Sequence, residues 1–206
     1  DDPKYEGWTE DQLAEEKLVK EANVCLLELD TYADTDPYFS ISHYNFRTNI
    51  KYPEYDESDD RRTLTENQIK NSFNKVATLL KNGPTYNAGI YERYTDYIDM
   101  DAWARAWFVN DLTRNQECKH PKSWYVYNEY IQNGALWQFG PVWDFDWSYG
   151  YDGTRQYFVY YAEDDIFNGC VTSNLGYPFF DALRTSTLAK QAYYKVWRHY
   201  VDHDGL

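Results

Sequence analysis

The sequence predicts an α+β domain with a central β-hairpin packed among helices. Three observations predict it. Capping boxes at Thr9-Glu10-Asp11-Gln12 and Thr65-Glu66-Asn67-Gln68 each open a stretch of good helix formers. Short apolar or alternating segments of strand length lie between the boxes and again past residue 120. An Asn133-Gly134 pair falls between two of those segments, where a tight hairpin turn belongs. A chain of 206 residues is long enough for a proper core and short for two, so 1–206 is read as one domain.

Taken in order, the first helix runs from the Thr9 box to about residue 22, and 23–30 (NVCLLELD) reads as a buried strand. Clusters of Pro, Asp and Tyr over 31–60 suggest an irregular, substrate-facing region with a short strand near 38–46. The second box starts a helix with Ile69, Phe73, Val76, Leu79 and Leu80 on one face, and Asn82-Gly83-Pro84 stops it. The next helix takes Asp99 as N-cap, with Met100, Trp103, Ala106, Trp107 and Asn110 along one face. Asp96, Asp99 and Asp101 resemble a calcium cluster, but the glycine and the distal Glu of a calcium loop are missing, which favours capping. A loop over 113–122 leads to an alternating strand at 123–130 (SWYVYNEY), and Asn133-Gly134 turns it into 135–139. Gly176-Tyr177-Pro178-Phe179-Phe180 turns into terminal helices, where 188–200 is spaced for packing and Tyr194 and Trp197 are assigned to the core.

Charge and composition narrow the function classes. A net charge of −14 disfavours nucleic acid and anionic membrane surfaces, both of which require clustered Lys and Arg. No run of about 18 apolar residues exists, so no membrane span is expected. Cationic ligands, metals or basic protein substrates fit better. The 22 Tyr, 8 Trp and 10 Phe suit recognition of proteins or sugars, and Tyr157, Tyr160 and Tyr161 form a candidate exposed cluster. Cys25, Cys118 and Cys170 lack CxxC spacing, which argues against zinc and indicates no disulfide framework, though one bridge plus a free thiol stays open.

Candidate chemistry concentrates in 135–150, ALWQFGPVWDFDWSYG. If the extension continues through it, Asp144 and Asp146 face one way and Trp143, Phe145 and Trp147 the other. Two adjacent like charges need solvent, donors or a cation, so the pair is either a metal site or a solvated strand end beside packed tryptophans. Glu117 and Asp144 are also the kind of carboxylate pair that glycosidases use, though the spacing leaves their separation open. His120 and Lys122 share the loop of Glu117 and could contact phosphate or orient the carboxylate, while a lone loop His is also an ordinary hydrogen-bond partner.

The order helix, polar loop, strand, turn, strand, aspartate is that of the catalytic half of protein kinases. There a loop carboxylate positions the acceptor hydroxyl and a later one holds Mg²⁺ against the phosphates. The segments Leu26-Leu27-Glu28-Leu29-Asp30, Ile50-Lys51-Tyr52-Pro53-Glu54, Tyr97-Ile98-Asp99-Met100-Asp101 and Val109-Asn110-Asp111-Leu112-Thr113-Arg114-Asn115 carry a closer likeness. It continues through Trp124-Tyr125-Val126-Tyr127 and is strongest at Gly140-Pro141-Val142-Trp143-Asp144-Phe145-Asp146. On these residues the chain resembles the CotH kinases, a family with an atypical kinase-like fold named for a spore coat protein. The stretch from Asn115 to Ser123 looks most like the secreted variant found in gut Bacteroidetes.

The resemblance implies the larger, C-terminal lobe of a kinase-like fold. It implies phosphoryl transfer from ATP, with Mg²⁺ or Mn²⁺, to Ser or Thr of a secreted or cell-surface bacterial protein. Carried over, the metal-binding aspartate is Asp144, with Asp146 beside it at a position the family fills with Asp or Asn. The catalytic-loop aspartate falls on Glu117, a departure whose extra methylene moves the carboxylate by more than about an ångström. Ser123 stands where the family sometimes has Asn, and Asn115, His120, Lys122 and Ser123 are the residues expected around the nucleotide. The family's N-terminal lobe, with an RGN-type segment and a phosphate-engaging lysine, has no counterpart ahead of Leu26. The expectation is therefore a fragment of a longer protein or a relative without a phosphate clamp, with weak or absent activity by itself. The alternative expectation is a non-catalytic secreted module whose acidic, aromatic surface binds polysaccharide or protein.

Overall fold

The computed structural model describes residues 6–13, 24–35, 37–54, 58, 61–115, 117, 121–149 and 176–203. It is a mixed α+β structure built on a five-stranded antiparallel sheet and a separate two-stranded hairpin. The sheet strands are β1 (Cys25–Leu29), β2 (Tyr38–Ser40), β3 (Arg47–Tyr52), β6 (Trp124–Asn128) and β7 (Gln138–Phe139), in the order β2-β3-β1-β6-β7. Strand β1 is central because Cys25, Leu27 and Leu29 alternate into the core while both its edges are paired, to β3 and to β6. The hairpin expected at the centre of the fold instead forms one edge of the sheet, where Val126 faces Phe139 and Tyr127 faces Gln138.

Strand β3 falls in the region read as irregular. Its sequence, RTNIKY, has a single aliphatic residue, and its inward positions are Thr48 and Ile50. Thr48 can be buried because its hydroxyl donates to the Glu28 carbonyl at 2.7 Å, which satisfies the polar atom locally. Asn133-Gly134 is likewise not a two-residue hairpin turn. A 3₁₀ turn, Ile131–Asn133, ends in left-handed Gly134, and Asn128 pins the longer loop through the Tyr130 N–H (2.9 Å) and the Ala135 carbonyl (2.7 Å).

The Thr9 box is reciprocal as expected, with Gln12 N–H on Thr9 Oγ1 at 3.2 Å and Thr9 N–H on Gln12 Oε1 at 2.9 Å. The Thr65 box is not a helix start. Helix α1 (Arg61–Asn82) begins four residues earlier, leaving Thr65 buried within it and Glu66 paired with Arg62 at 2.7 Å. Its stop is as expected, with Gly83 left-handed and its N–H on the Leu79 carbonyl. The hairpin β4 (Thr85–Asn87) and β5 (Ile90–Glu92) follows, turned by Ala88 and Gly89, both at positive φ.

Helix α2 (Met100–Leu112) starts at Asp99, whose carboxylate accepts from the Asp101 and Ala102 N–H groups. Trp103, Ala104, Ala106, Trp107 and Phe108 are all buried, so this helix sits inside the core rather than on it. Its start is tied to β7, since Trp137 N–H bonds the Tyr97 carbonyl and Asp99 N–H bonds that of Trp137. Helices α3 (Tyr177–Thr185) and α4 (Thr187–Trp197), followed by a π-helical turn at Arg198–His203, close the core. Phe179 and Phe180 join its ring cluster, with Phe180 4.7 Å from Trp124 and Phe179 5.2 Å from Tyr44. Tyr194 is not a core residue as expected. It is 64% exposed, and Trp197, packed on the Phe108 and Tyr193 rings, is still 37% exposed, because the inward face of α4 belongs to Ala189 and Val196. Cys25 is a buried free thiol pushed up to about 12 by burial, hence inert, and Cys118 and Cys170 lie outside the described residues. No helix among the described residues is long and apolar enough to cross a membrane.

Candidate functional site

The C-terminal end of α2 builds the site from amides. Asn110 is buried and donates to the Ala106 carbonyl at 2.8 Å, and its Oδ1 accepts Asn115 Nδ2 at 2.8 Å. Asn115 Oδ1 in turn accepts the Glu117 N–H at 3.1 Å, and its Nδ2 also reaches the Asp144 carbonyl at 3.4 Å. Two buried asparagines therefore hold the loop against the helix and set Glu117 facing the segment after β7. From the other side, Tyr149 N–H closes on the Thr113 carbonyl at 2.7 Å.

Ser123 donates to Asp144 Oδ2 at 3.1 Å, and Asp146 N–H approaches Asp144 Oδ1 at 3.4 Å. Asp144 does not continue the strand. Extension ends at Phe139 and Asp144 is left-handed at φ 58, so Asp144 and Asp146 are not neighbours on one face as alternation predicted. Asp144 is half-buried and its carboxylate is held on both oxygens, while Asp146 lies exposed in the turn beyond it. Arg114 and Ser123 are also left-handed, at φ 56 and 58. With Tyr149 at φ 55, four non-glycine residues in this sparsely populated region, on two segments that touch, mark local backbone strain of the kind that gathers at functional sites.

Glu117 is the unusual member. It is 1% exposed and its Oε2 has no hydrogen-bond partner. Burial pushes its carboxyl up to about 7. Lys122 pulls it down, while Asp144, Asp30 and Asp146 push it further up. A carboxyl poised near neutrality inside an acidic cluster can give or take a proton at physiological pH.

Asp30 belongs to the same site and was not among the predicted residues. Burial raises its carboxyl, the Tyr32 N–H at 2.7 Å lowers it, Glu28 raises it, and Lys122 and Lys51 lower it. The loop is docked here, because Thr31 N–H bonds the Pro121 carbonyl at 2.7 Å and a Cβ on Gly176 would lie 1.6 Å from Pro121 Cδ. The signal was present in the sequence: Asp30 follows an apolar strand as Asp144 does. Lys51 is engaged by Glu28 at 3.1 Å, and Lys122 is exposed beside Glu117 and Asp30.

Of the predicted set, Asn115, Glu117, Lys122, Ser123, Asp144 and Asp146 come together, and His120 lies outside the described residues. Tyr157, Tyr160 and Tyr161 lie outside them as well. Among the described residues, no group of three or more His, Cys, Asp and Glu converges closely enough to hold a metal ion by itself. The donors present are all oxygens, and a hard cation such as Mg²⁺ is commonly held by one or two carboxylates with the rest of its shell from water and phosphate. Asp144 and Asp146 fit that pattern and no fuller one. No family model, curated protein or solved structure matches the chain.

Proposed function

We propose that this chain is the larger lobe of a CotH-like kinase fold. In this reading the Glu117–Asp144 cluster serves phosphoryl transfer from ATP to a Ser or Thr hydroxyl of a secreted or surface protein. The observation that supports it is the convergence of Asn115, Glu117, Ser123 and Asp144, which come from two segments whose hydrogen-bonded residues are 21 and 29 positions apart in the chain. Helix, loop, strand, turn, strand and aspartate follow one another here in the order that the kinase-like reading expects.

Each residue has a part that its surroundings favour. Glu117, with its carboxyl near 7, accepts the proton of the attacking hydroxyl. Asn115 fixes the loop that carries it, and Ser123 orients the Asp144 carboxylate. Lys122 supplies positive charge beside the carboxylates, where an incoming phosphate needs it. Asp144, with Asp146, would hold Mg²⁺ or Mn²⁺, which supplies neutralisation of phosphate charge when bound.

The test is the melting temperature of wild type and Asp144→Asn with Mn²⁺ or Mg²⁺, each with and without ATP. A ligand that binds only the folded state adds about 2.7 kcal/mol at a hundred times its dissociation constant. A metal-dependent rise that ATP enlarges and Asp144→Asn abolishes is expected. No rise in wild type under any condition overturns the reading.

A second reading is favoured by Trp143 and Tyr149, 65% and 66% exposed on the segment that carries Asp144. Rings beside carboxylates suit stacking on sugar faces with hydrogen bonds to hydroxyls, the chemistry of a non-catalytic carbohydrate-binding module. Retarded migration in a polysaccharide gel that Trp143→Ala removes would support it, and unretarded migration on every polysaccharide would exclude it.

A further inference from the structure

Charge is distributed unevenly in this chain, and the exception lies far along it. Over residues 182–201 there is no Asp or Glu, although the chain has 34, and Arg184, Lys190, Lys195, Arg198 and His199 all fall within that stretch. Helix α4 and the first four residues of the π-helical turn after it thus form a basic stretch on an acidic protein. An open cavity of about 730 Å³ lies on that stretch, and its described lining is Gln191, Tyr194, Lys195, Arg198 and His199. The size falls within the range of small-ligand sites.

The lining is chemically specific. Tyr194 is 64% exposed, a ring held out from the core on a well-packed helix. Lys195 is shared with Asp101 at 3.0 Å, an exposed pair that solvent or a ligand can reopen. Arg198 makes no side-chain hydrogen bond or ion pair among the described residues. The site therefore offers one uncommitted guanidinium, a second cation half-neutralised, a ring face, and the amide of Gln191.

We infer that this cavity binds a carboxylate-bearing sugar. One free guanidinium matches one carboxylate in the bidentate fork that arginine forms best. The Tyr194 ring takes the apolar face of a pyranose, and Gln191 can bond its hydroxyls. A nucleotide or a polyphosphate carries several negative charges, more than Arg198 and a Lys195 shared with Asp101 balance among the described lining residues. An acidic peptide would use charge but leave the ring face idle. This site is separate from the Glu117–Asp144 cluster and does not depend on what that cluster does.

The experiment is an isothermal titration of the full 206-residue chain at low salt with trigalacturonate, its methyl ester, ATP and a tri-aspartate peptide. It is repeated on Arg198→Gln, Tyr194→Ala and Asp144→Asn, with circular dichroism melts to verify folding. Both α4-face positions are exposed, so the variants are expected to fold. Expected are binding of trigalacturonate, a loss of about tenfold in affinity in Arg198→Gln and on esterification, and no change in Asp144→Asn. The inference is overturned if wild type does not bind trigalacturonate, if folded Arg198→Gln binds it equally well, or if the peptide, or ATP titrated into Asp144→Asn, binds more tightly than trigalacturonate does.

Discussion

Two acidic groups in this chain look alike in sequence and differ in what holds them. Around the start of α2, Asp96 accepts from the Arg93 side chain and backbone, both at 2.8 Å, Asp99 caps the helix, and Asp101 pairs with Lys195. At the other end of that helix, Asp144 is held by Ser123 and the Asp146 N–H, while Glu117 is buried with Oε2 unpaired. The charge states follow. The Arg93 guanidinium holds Asp96 below the usual carboxylate range, whereas burial lifts Glu117 toward neutrality. Carboxylates supplied with donors by their own fold are structural. A buried carboxyl left without a donor among neighbouring carboxylates is unfavourable for folding alone, which directs attention to function.

The sharpest way to break that comparison is to remove the Glu117 charge. Its carboxyl moves from an ordinary 4.5 to about 7 on folding, which corresponds to on the order of 3 kcal/mol. Below pH 4.5 both states keep the proton and nothing is lost. Between 4.5 and 7 only the folded state keeps it, so stability falls as pH rises, and above 7 the full penalty stands. Glu117→Gln should therefore be more stable than wild type at pH 8, nearly equal to it at pH 4.5, and flatter between. Urea denaturation midpoints across that range measure it. Parallel pH slopes for the two proteins would mean that Glu117 has found a donor and that the two ends of α2 do not differ.

How much of this contrast could be read without coordinates depends on range. The caps were legible because Thr9, Gln12 and Asp99 act on backbone within three residues of themselves. The apolar face of α1 and the strand at Cys25–Leu29 were legible because burial there follows the helix and strand periods. Strand β3 was not, since its burial rests on a threonine whose hydroxyl is satisfied from a neighbouring strand 20 residues away. The bend at Asp144 was hidden for a related reason: the alternating sequence argues for extension, and the contacts that turn it come from Asn115 and Ser123 on another segment. The resemblance to a kinase-like lobe had singled out Asn115, Glu117, Ser123 and Asp144 without their geometry. It passed over Asp30, whose place beside Glu117 depends on the pairing of β1 with β6 and on Pro121 docking at Thr31.

At the ordinary end of α2 the expected effects are smaller and graded. Asp99→Ala removes an acceptor for two helix N–H groups, and loss of such a cap is expected to destabilise by about 1 kcal/mol. A chain of this size should then melt about 2–4 °C lower. The effect should be the same at pH 5 and pH 8, unlike that of Glu117→Gln, and a pH-dependent loss would move Asp99 into the functional group.

Asp101 is the finest test, because among the described residues its side chain pairs with Lys195 alone and both ends of the pair are well exposed, at 49% and 73%. Exposed pairs contribute little, since water solvates both charges and two long side chains lose freedom to meet. Asp101→Asn should change stability by less than about 0.5 kcal/mol, and a double-mutant cycle with Lys195→Ala should give a coupling no larger. The substitution also frees Lys195 on the α4 face, where the uncommitted Arg198 already stands. A small stability change together with tighter binding of trigalacturonate would show that the pair restrains a ligand site more than it supports the fold. A coupling well above 1 kcal/mol would instead place Asp101 among the carboxylates that hold α2 to α4.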